Sequence, residues 1–482
     1  MSANDAPAIA ANRFGLGARP GELSRIPSPR DWLKQQLQGG PPLLAAADLK
    51  STSDVLLGAR NIAANARELG AKSREELKEG AADPNDPAAQ QARQQRVANR
   101  LPRYFAPLYQ ADALARFRNA IATDRPFVER LVHFWSNHFA VSIDKVAVLG
   151  LAGCMEREAI RPNILGKFSD LLISVEKHPA MLMFLDNPLS VGPDSMLARM
   201  AAQRRRQLGL NENLAREILE LHTLGVDGGY SQADVTSFAR VITGWSLSGL
   251  PNQPARLQDE SPPGQFLFRP GVHEPGAQTV RGRRYAQVGV AQGEAVLHDL
   301  AAAPQTARHI ATKLARHFIA DEPPAAAVER LTRAFLKSDG HLPTVYAALI
   351  DSPEAWSSGS AKYKTPQDYV LSTFRGLELP LPQPQQALGS LTLLGQQQFR
   401  PGSPAGWPDR SADWDGSAAL LKRIELANNI AQRVGGNRDA AALAPQLLGA
   451  TLSSATVTSI ARAESASQAL TLLLIAPEFM RR

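Results

Sequence analysis

Apolar side chains recur at three- and four-residue spacings along most of the chain, the periodicity of helices that bury one face. The pattern predicts helices over residues 8–13, 31–37, 54–69, 90–123, 163–177, 306–318, 325–337, 342–349, 366–377, 414–433 and 456–474. Another is expected to open at Asp124-Arg125-Pro126, with Asp124 as N-cap and the proline in the first turn. The exception is the Gly-, Pro- and Arg-rich passage 246–289, where 265–268 and 285–288 read as two strands of a small hairpin around VHEPGAQTVRGRR. The fold class expected is therefore all-α, a large multi-helix body with a β-hairpin/loop excursion around 246–289. Residues 1–482 are read as one continuous helical domain. Two segments interrupt it: a mobile polar insert at 70–90, broken at Asp83-Pro84-Asn85-Asp86-Pro87, and the 246–289 loop, read as a lid.

The densest polar cluster lies in 211–245, NENLAREILELHTLGVDGGYSQADVTSFARVITGW. On its first helix Leu214, Ile218 and Leu221 form the apolar face, while Asn213, Arg216, Glu217 and Glu220 gather on a second. His222 falls off that face, near Leu219. Gly225 supplies a left-handed helix end, and Ser231 with Asp234 reads as the capping box of the next helix.

Three readings of the polar face stay open. Glu212 and Glu220 can hold Arg216 at i±4, a ladder that braces the helix and needs no chemistry. Alternatively, Glu217 and Glu220, joined by His138, His222 or His273, can make a carboxylate/His site that works by acid–base catalysis or holds a divalent metal. Neither Glu-x-x-His on two helices nor His-Glu-x-x-His occurs in the chain. A DNA-binding helix-turn-helix is the third reading, with Gln232, Thr236 and Arg240 as base readers. Phe238, Val241, Ile242 and Trp245 leave its second helix little surface for a groove, and no nucleic acid is expected.

The candidate catalytic set is thus Glu217, Glu220, Arg216 and Asn213, with His138 and His273 as outside contributors. Glu217, Glu220, His138 and His273 are the candidate metal ligands. His138 shares a stripe with Leu131, Phe134 and Trp135, where a histidine is ordinarily a satisfied core residue. In 306–318, Ile310, Leu314, His317 and Phe318 are expected inward, and Arg308, Lys313 and Arg316 form a solvated basic edge. Trp407, in the rigid PGSPAGWPD loop, can cover a cleft or pack on the body, and packing is the expectation.

Composition narrows the partners. Lys and Arg number 53 against 46 Asp and Glu, a formal charge of +7 that is scattered except at Arg204-Arg205-Arg206. The lone Cys154 excludes an intrachain disulfide and a multi-thiolate zinc site. No long apolar run or export signal is visible, so the chain reads as soluble with no membrane span. It is placed in the cytoplasm by default, or in the periplasm if an export signal is missing from this sequence. Walker A, dinucleotide-binding and Gly-x-Ser-x-Gly motifs do not occur, which leaves nucleotide binding and serine-hydrolase chemistry without support.

Several strings together resemble one family: FWSNHF (134–139), HPAMLMFLDN (178–187), NENLARE with ELHTLGVDGGYSQADV, ARVITGW, HEPG (273–276), KYKTPQDYV (362–370), LGQ (394–396), GWP (406–408) and APEFMRR. They are similar to the bacterial family catalogued as domain of unknown function number 1800, over nearly the whole chain. The resemblance implies a mostly helical fold. It also implies a partner, since many members are encoded beside a family similar to sulfatases and alkaline phosphatases, often with export signals. The chain departs from the pattern at His273-Glu274, where His-Asp is common. Two functions follow as expectations. One is a metal-dependent or acid–base enzyme acting on an envelope or polymer substrate; the other is a non-catalytic scaffold for the sulfatase-like neighbour.

Overall fold

The helix Pro126–His138 is the element the rest packs around, because its sequence leaves it no solvent face. Every residue from Pro126 to Trp135 is buried. A helix buried all round must satisfy its charges internally. Accordingly, Glu129 is taken by Arg161, and Arg130 by Asp368 and the Gly15 carbonyl. Pro126 occupies the first helical position, so the N-cap is Arg125 and not Asp124, which pairs instead with Arg19 at 2.9 Å. The proline decides this, since its fixed φ and missing N–H suit the first turn.

The computed structural model describes residues 5–44, 48–78, 100–249, 261–357, 362–380 and 383–482. Helices dominate, as the periodicity predicts, with two small two-stranded sheets. Two hydrophobic clusters organise the packing. The larger holds Phe14, Phe127, Trp135, Phe168, Trp245, Phe318 and Tyr346; the smaller holds Leu114, Phe117, Tyr369, Phe374, Leu470 and Phe479. The helix Arg100–Ala122 joins them, with Tyr109 and Ala113 in the first and Leu114 and Phe117 in the second. Each buried aromatic contributes on the order of 2–3 kcal/mol.

Some boundaries differ from the periodic reading for local reasons. The 163–177 pattern becomes helical only over Phe168–Glu176, because the Phe168 N–H goes to the Gly340 carbonyl and Lys167 bridges His341. The 456–474 pattern splits into Ser454–Ala461 and Ala466–Leu474, where Ser465 accepts the Gln468 N–H and caps a new start. The expected insert at 70–90 continues the helix Thr52–Lys78 in its first part; its remainder, and residues 250–260 of the expected lid, lie outside the described residues.

The excursion is paired differently from the expectation. Strand β1 (Trp245–Leu247) runs antiparallel to β2 (Phe266–Phe268), and β3 (Gln278–Val280) forms a tight hairpin with β4 (Arg283–Tyr285). Arg281 and Gly282 both adopt positive φ, 49° and 75°, as a two-residue hairpin turn of matching twist requires. Closing that turn costs less chain entropy than joining 265–268 to 285–288 across a long loop. No helix among the described residues is long and apolar enough to cross a membrane.

Candidate functional site

In the 211–245 stretch the turn chemistry is as expected: Gly225 has φ 87°, and Ser231 and Asp234 complete a capping box. The helix itself is not. Asn213–Glu217 is α-helical, but Ile218–Thr223 widens to a π-turn, which breaks the 3.6-residue register. His222 is carried into the core, where its Nδ1 lies 2.7 Å from Glu176 Oε1. The widened turn also frees the carbonyls of Leu221 and His222. These accept hydrogen bonds from His309 Nε2 and His138 Nε2, both at 3.1 Å.

The expected site residues are not gathered around one point. Arg216 pairs with Glu212 at 3.0 Å and with Gln232, and Gln232 and Thr236 close on the same carboxylate, so the Glu212 side of the expected ladder forms. Asn213 is exposed at the helix start. Glu217 is half-buried, and burial raises its carboxyl above the usual range. Glu220 is half-buried one turn on. His138 is a core residue, edge-on to Phe139 and Trp135. His273 has its Nδ1 2.8 Å from the Thr243 carbonyl oxygen, while Glu274 accepts the Asp194 N–H at 2.9 Å and pins the excursion. Among the described residues no three His, Cys, Asp or Glu side chains are placed to hold a metal ion. Of the four residues read as metal ligands, His138 and His273 are each engaged by a backbone carbonyl, of His222 and Thr243.

A different set does converge. A cavity of about 350 Å³ opens beside the Pro126–His138 helix. The helix Pro126–His138 supplies Arg130, His133, Phe134, Asn137 and His138 to its wall, a stripe at helical spacing. The helix Pro304–Phe318 supplies Lys313, Arg316 and His317, and the start of Pro366–Gly376 supplies Gln367 and Asp368. Gln396, Gln397, Gln398, Phe399, Trp407 and Asp409 close it. Lys313 and Arg316, expected on a solvated edge, therefore face the cavity; only Arg308 of the three is exposed.

The wall is held by paired polar contacts. Asn137 accepts the Trp407 N–H at 2.7 Å and donates to its carbonyl at 2.9 Å, fixing the loop. Gly406 there has φ 84°, and a Cβ would lie 2.3 Å from the Asn137 carbonyl, so only glycine fits. Gln367 donates to His133 Nδ1 at 2.8 Å and accepts from Arg116 at 3.0 Å. Behind the wall Arg161 grips Glu129 and Glu156, and Glu156 also takes Arg116 at 2.6 Å and Ser136 at 2.7 Å.

Two carboxylates in the wall already have cations: Asp368 has Arg130 and Arg482, each at 2.9 Å, and Asp409 has Lys362 at 3.5 Å and a hydrogen bond with His317 at 3.0 Å. Lys313 has no hydrogen bond or ion pair among the described residues, and Arg316 has only the Asp321 carbonyl, at 3.2 Å. Burial lowers the Lys313 ammonium to about 8, with Asp409 opposing. The His317 imidazole is lowered chiefly by burial, and its Nδ1 on Asp409 leaves Nε2 without a partner among the described residues.

Burial also lowers His133 and His309 to about 4. An unfolded chain protonates these rings near pH 6.5, and the folded protein does not until about 4. Stability is therefore full above pH 6.5 and falls as the pH drops toward 4, by about 3 kcal/mol for each ring. Urea midpoints measured from pH 7 to 4.5 are expected to decline, and less steeply in His309→Gln, whose amide can still donate to Leu221. A flat profile would contradict these assignments.

Sequence reasoning missed this cavity because its residues come from five separate segments, and because Lys313 and Arg316 read as ordinary solvated charges. A usable signal was present: the strings FWSNHF, KYKTPQDYV, LGQ and GWP, far apart in sequence, all contribute to the cavity or its supports. No curated protein and no solved structure matches the chain. Residues 9–481 match the family described as a protein of unknown function (DUF1800), and the chain belongs to that family.

Proposed function

We propose that the cavity is the active site of an acid–base enzyme that takes a polar substrate bearing an oxyanion, a carboxylate, sulfate or phosphate on a group about the size of one sugar ring. The observation that carries this reading is the pair of cavity-facing cations, Lys313 and Arg316, neither in an ion pair among the described residues, beside a histidine whose Nε2 has no hydrogen-bond partner among them. Desolvated cations in a cleft favour anion capture, since their own hydration has already been given up. His317 is neutral near pH 7 and is oriented by Asp409. Its buried Nε2 takes a proton from a bound hydroxyl or water when the wall opens to it, and the Asp409 carboxylate stabilises the imidazolium that forms. Glutamine amides and Trp407 suit the hydroxyls and faces of an envelope or polymer fragment.

The closed Glu212–Arg216–Gln232–Thr236 ladder supports the bracing reading of the other polar face, and with it the alternative of a scaffold for a sulfatase-like partner. Titration calorimetry with inorganic phosphate, sulfate and glucuronate separates the two. The enzyme reading expects binding that weakens about 10- to 100-fold in Arg316→Ala. Arg308→Ala, on the exposed side of the same helix, is expected to bind as the wild type does. Equal affinity in all three proteins, or none in any, would sink the enzyme reading and leave the scaffold.

A further inference from the structure

Residues 189–208 form an excursion with an unusual surface. Its two ends are tied together by the Val191 N–H on the Gly209 carbonyl at 3.1 Å, and its base by the Gly192 N–H on Val272 and the Asp194 N–H on Glu274. Beyond that base stands the helix Met196–Gln203, capped by Ser195 and burying only Ala201. Met196, at 65% exposure, lies with Leu197 and Met200 on an arc of roughly 100°. Leu189, at 72%, and Leu208 flank the helix on either side.

Such large apolar side chains in water cost hydration free energy and are rarely clustered without a partner. Arg199, Arg204, Arg205 and Arg206 are exposed beside them, with no side-chain hydrogen bond or ion pair among the described residues. Asp194 is the exposed acid of the same excursion.

The geometry points to a surface element that docks on a membrane containing anionic lipid, with Met196, Leu197, Met200, Leu189 and Leu208 entering the interface and the arginines meeting the headgroups. A protruding short helix with an apolar arc, flanked by unpaired arginines, matches the two halves of a bilayer surface: an apolar interior and a charged sheet above it. The side chains are exposed on the helix and belong to neither described cavity, which distinguishes the site from a slot for a partner helix. The docking is independent of what the cavity does.

Vesicle co-sedimentation of the full chain tests this. Phosphatidylglycerol-containing vesicles are expected to bind the protein, and pure phosphatidylcholine vesicles to bind it far less. Arg204→Gln/Arg205→Gln/Arg206→Gln is expected to weaken binding on the order of 100-fold, at about fivefold for each arginine lost. High salt should weaken the wild type as well. Met196→Ser/Met200→Ser should also bind more weakly, with an unchanged thermal melt because these residues are exposed. A tryptophan in Met200→Trp is expected to shift its emission to the blue on anionic vesicles. Absence of binding to anionic vesicles, or binding equal in wild type and variants, would overturn the proposal; an acidic protein that binds the excursion while vesicles do not would do the same.

Discussion

Replacing Arg161 with methionine is expected to destabilise the protein by about 3–5 kcal/mol, because the change takes a shared cation from two core carboxylates and strands Glu129. The Arg161 side chain is fully buried and lies 2.7 Å from Glu129 and 2.8 Å from Glu156. It holds the Glu129 carboxyl well below the usual carboxylate range against the burial that would raise it. Arg116 remains for Glu156, but Glu129 keeps only His133 at 3.6 Å, a ring that burial keeps neutral near pH 7. Without Arg161 the freed carboxyl rises toward protonation. The loss should then be greater at pH 8 than at pH 5.

The double variant Arg161→Met/Glu129→Gln is expected to recover part of the loss, since it removes the stranded charge. Urea denaturation measures this through a shifted midpoint with an unchanged slope. A cost below about 1 kcal/mol would mean that the network is not a support of the central helix.

Lys313→Met is expected to act in the opposite direction on stability while abolishing oxyanion binding. In the folded protein the ammonium titrates near 8, against 10.5 when solvated. Its depressed value means that the penalty for holding the charge is absent above pH 10.5, grows as the pH falls from 10.5 to 8, and is fully present below 8. At pH 7 the variant should be more stable than the wild type by up to about 3 kcal/mol. A residue kept at the expense of stability is what a binding site requires. Oxyanion affinity in the wild type should fall as the pH rises past about 8, with a midpoint displaced upward by the bound anion. Lower stability of Lys313→Met would assign the side chain a structural role.

Much of the architecture could be read from spacing. Pro366–Gly376 and Ala325–Lys337 follow their apolar periods closely, and Gly225, Ser231 and Asp234 stand at the helix boundary they predict. Periodicity failed where the backbone left the α-helical rise. The π-turn at Ile218–Thr223 turned His222 inward, and the same widening occurs at Ala10–Phe14 and Glu156–Ile160. Both of these pack on the Pro126–His138 helix. A helical wheel drawn at 3.6 residues per turn misplaces every residue beyond such a turn.

The site was less legible for another reason. Charged residues at i±4 on one helix are visible in sequence whether or not they do anything, and Glu212 with Arg216 proved to satisfy each other. The cavity depends on cations that are not satisfied, and that is a property of what surrounds Lys313 and Arg316 in space. His138 belonged to both pictures: its Nε2 is a core contact, while the residue lines the cavity with an Nδ1 that has no partner among the described residues.

Anomalous diffraction from crystals soaked in low-millimolar selenate locates an oxyanion directly. The account predicts a selenium peak inside the cavity, within hydrogen-bond reach of Lys313 Nζ and Arg316, that is lost in Lys313→Met/Arg316→Ala crystals. Selenium found only at the protein surface, or an unchanged cavity peak in the double variant, would contradict it.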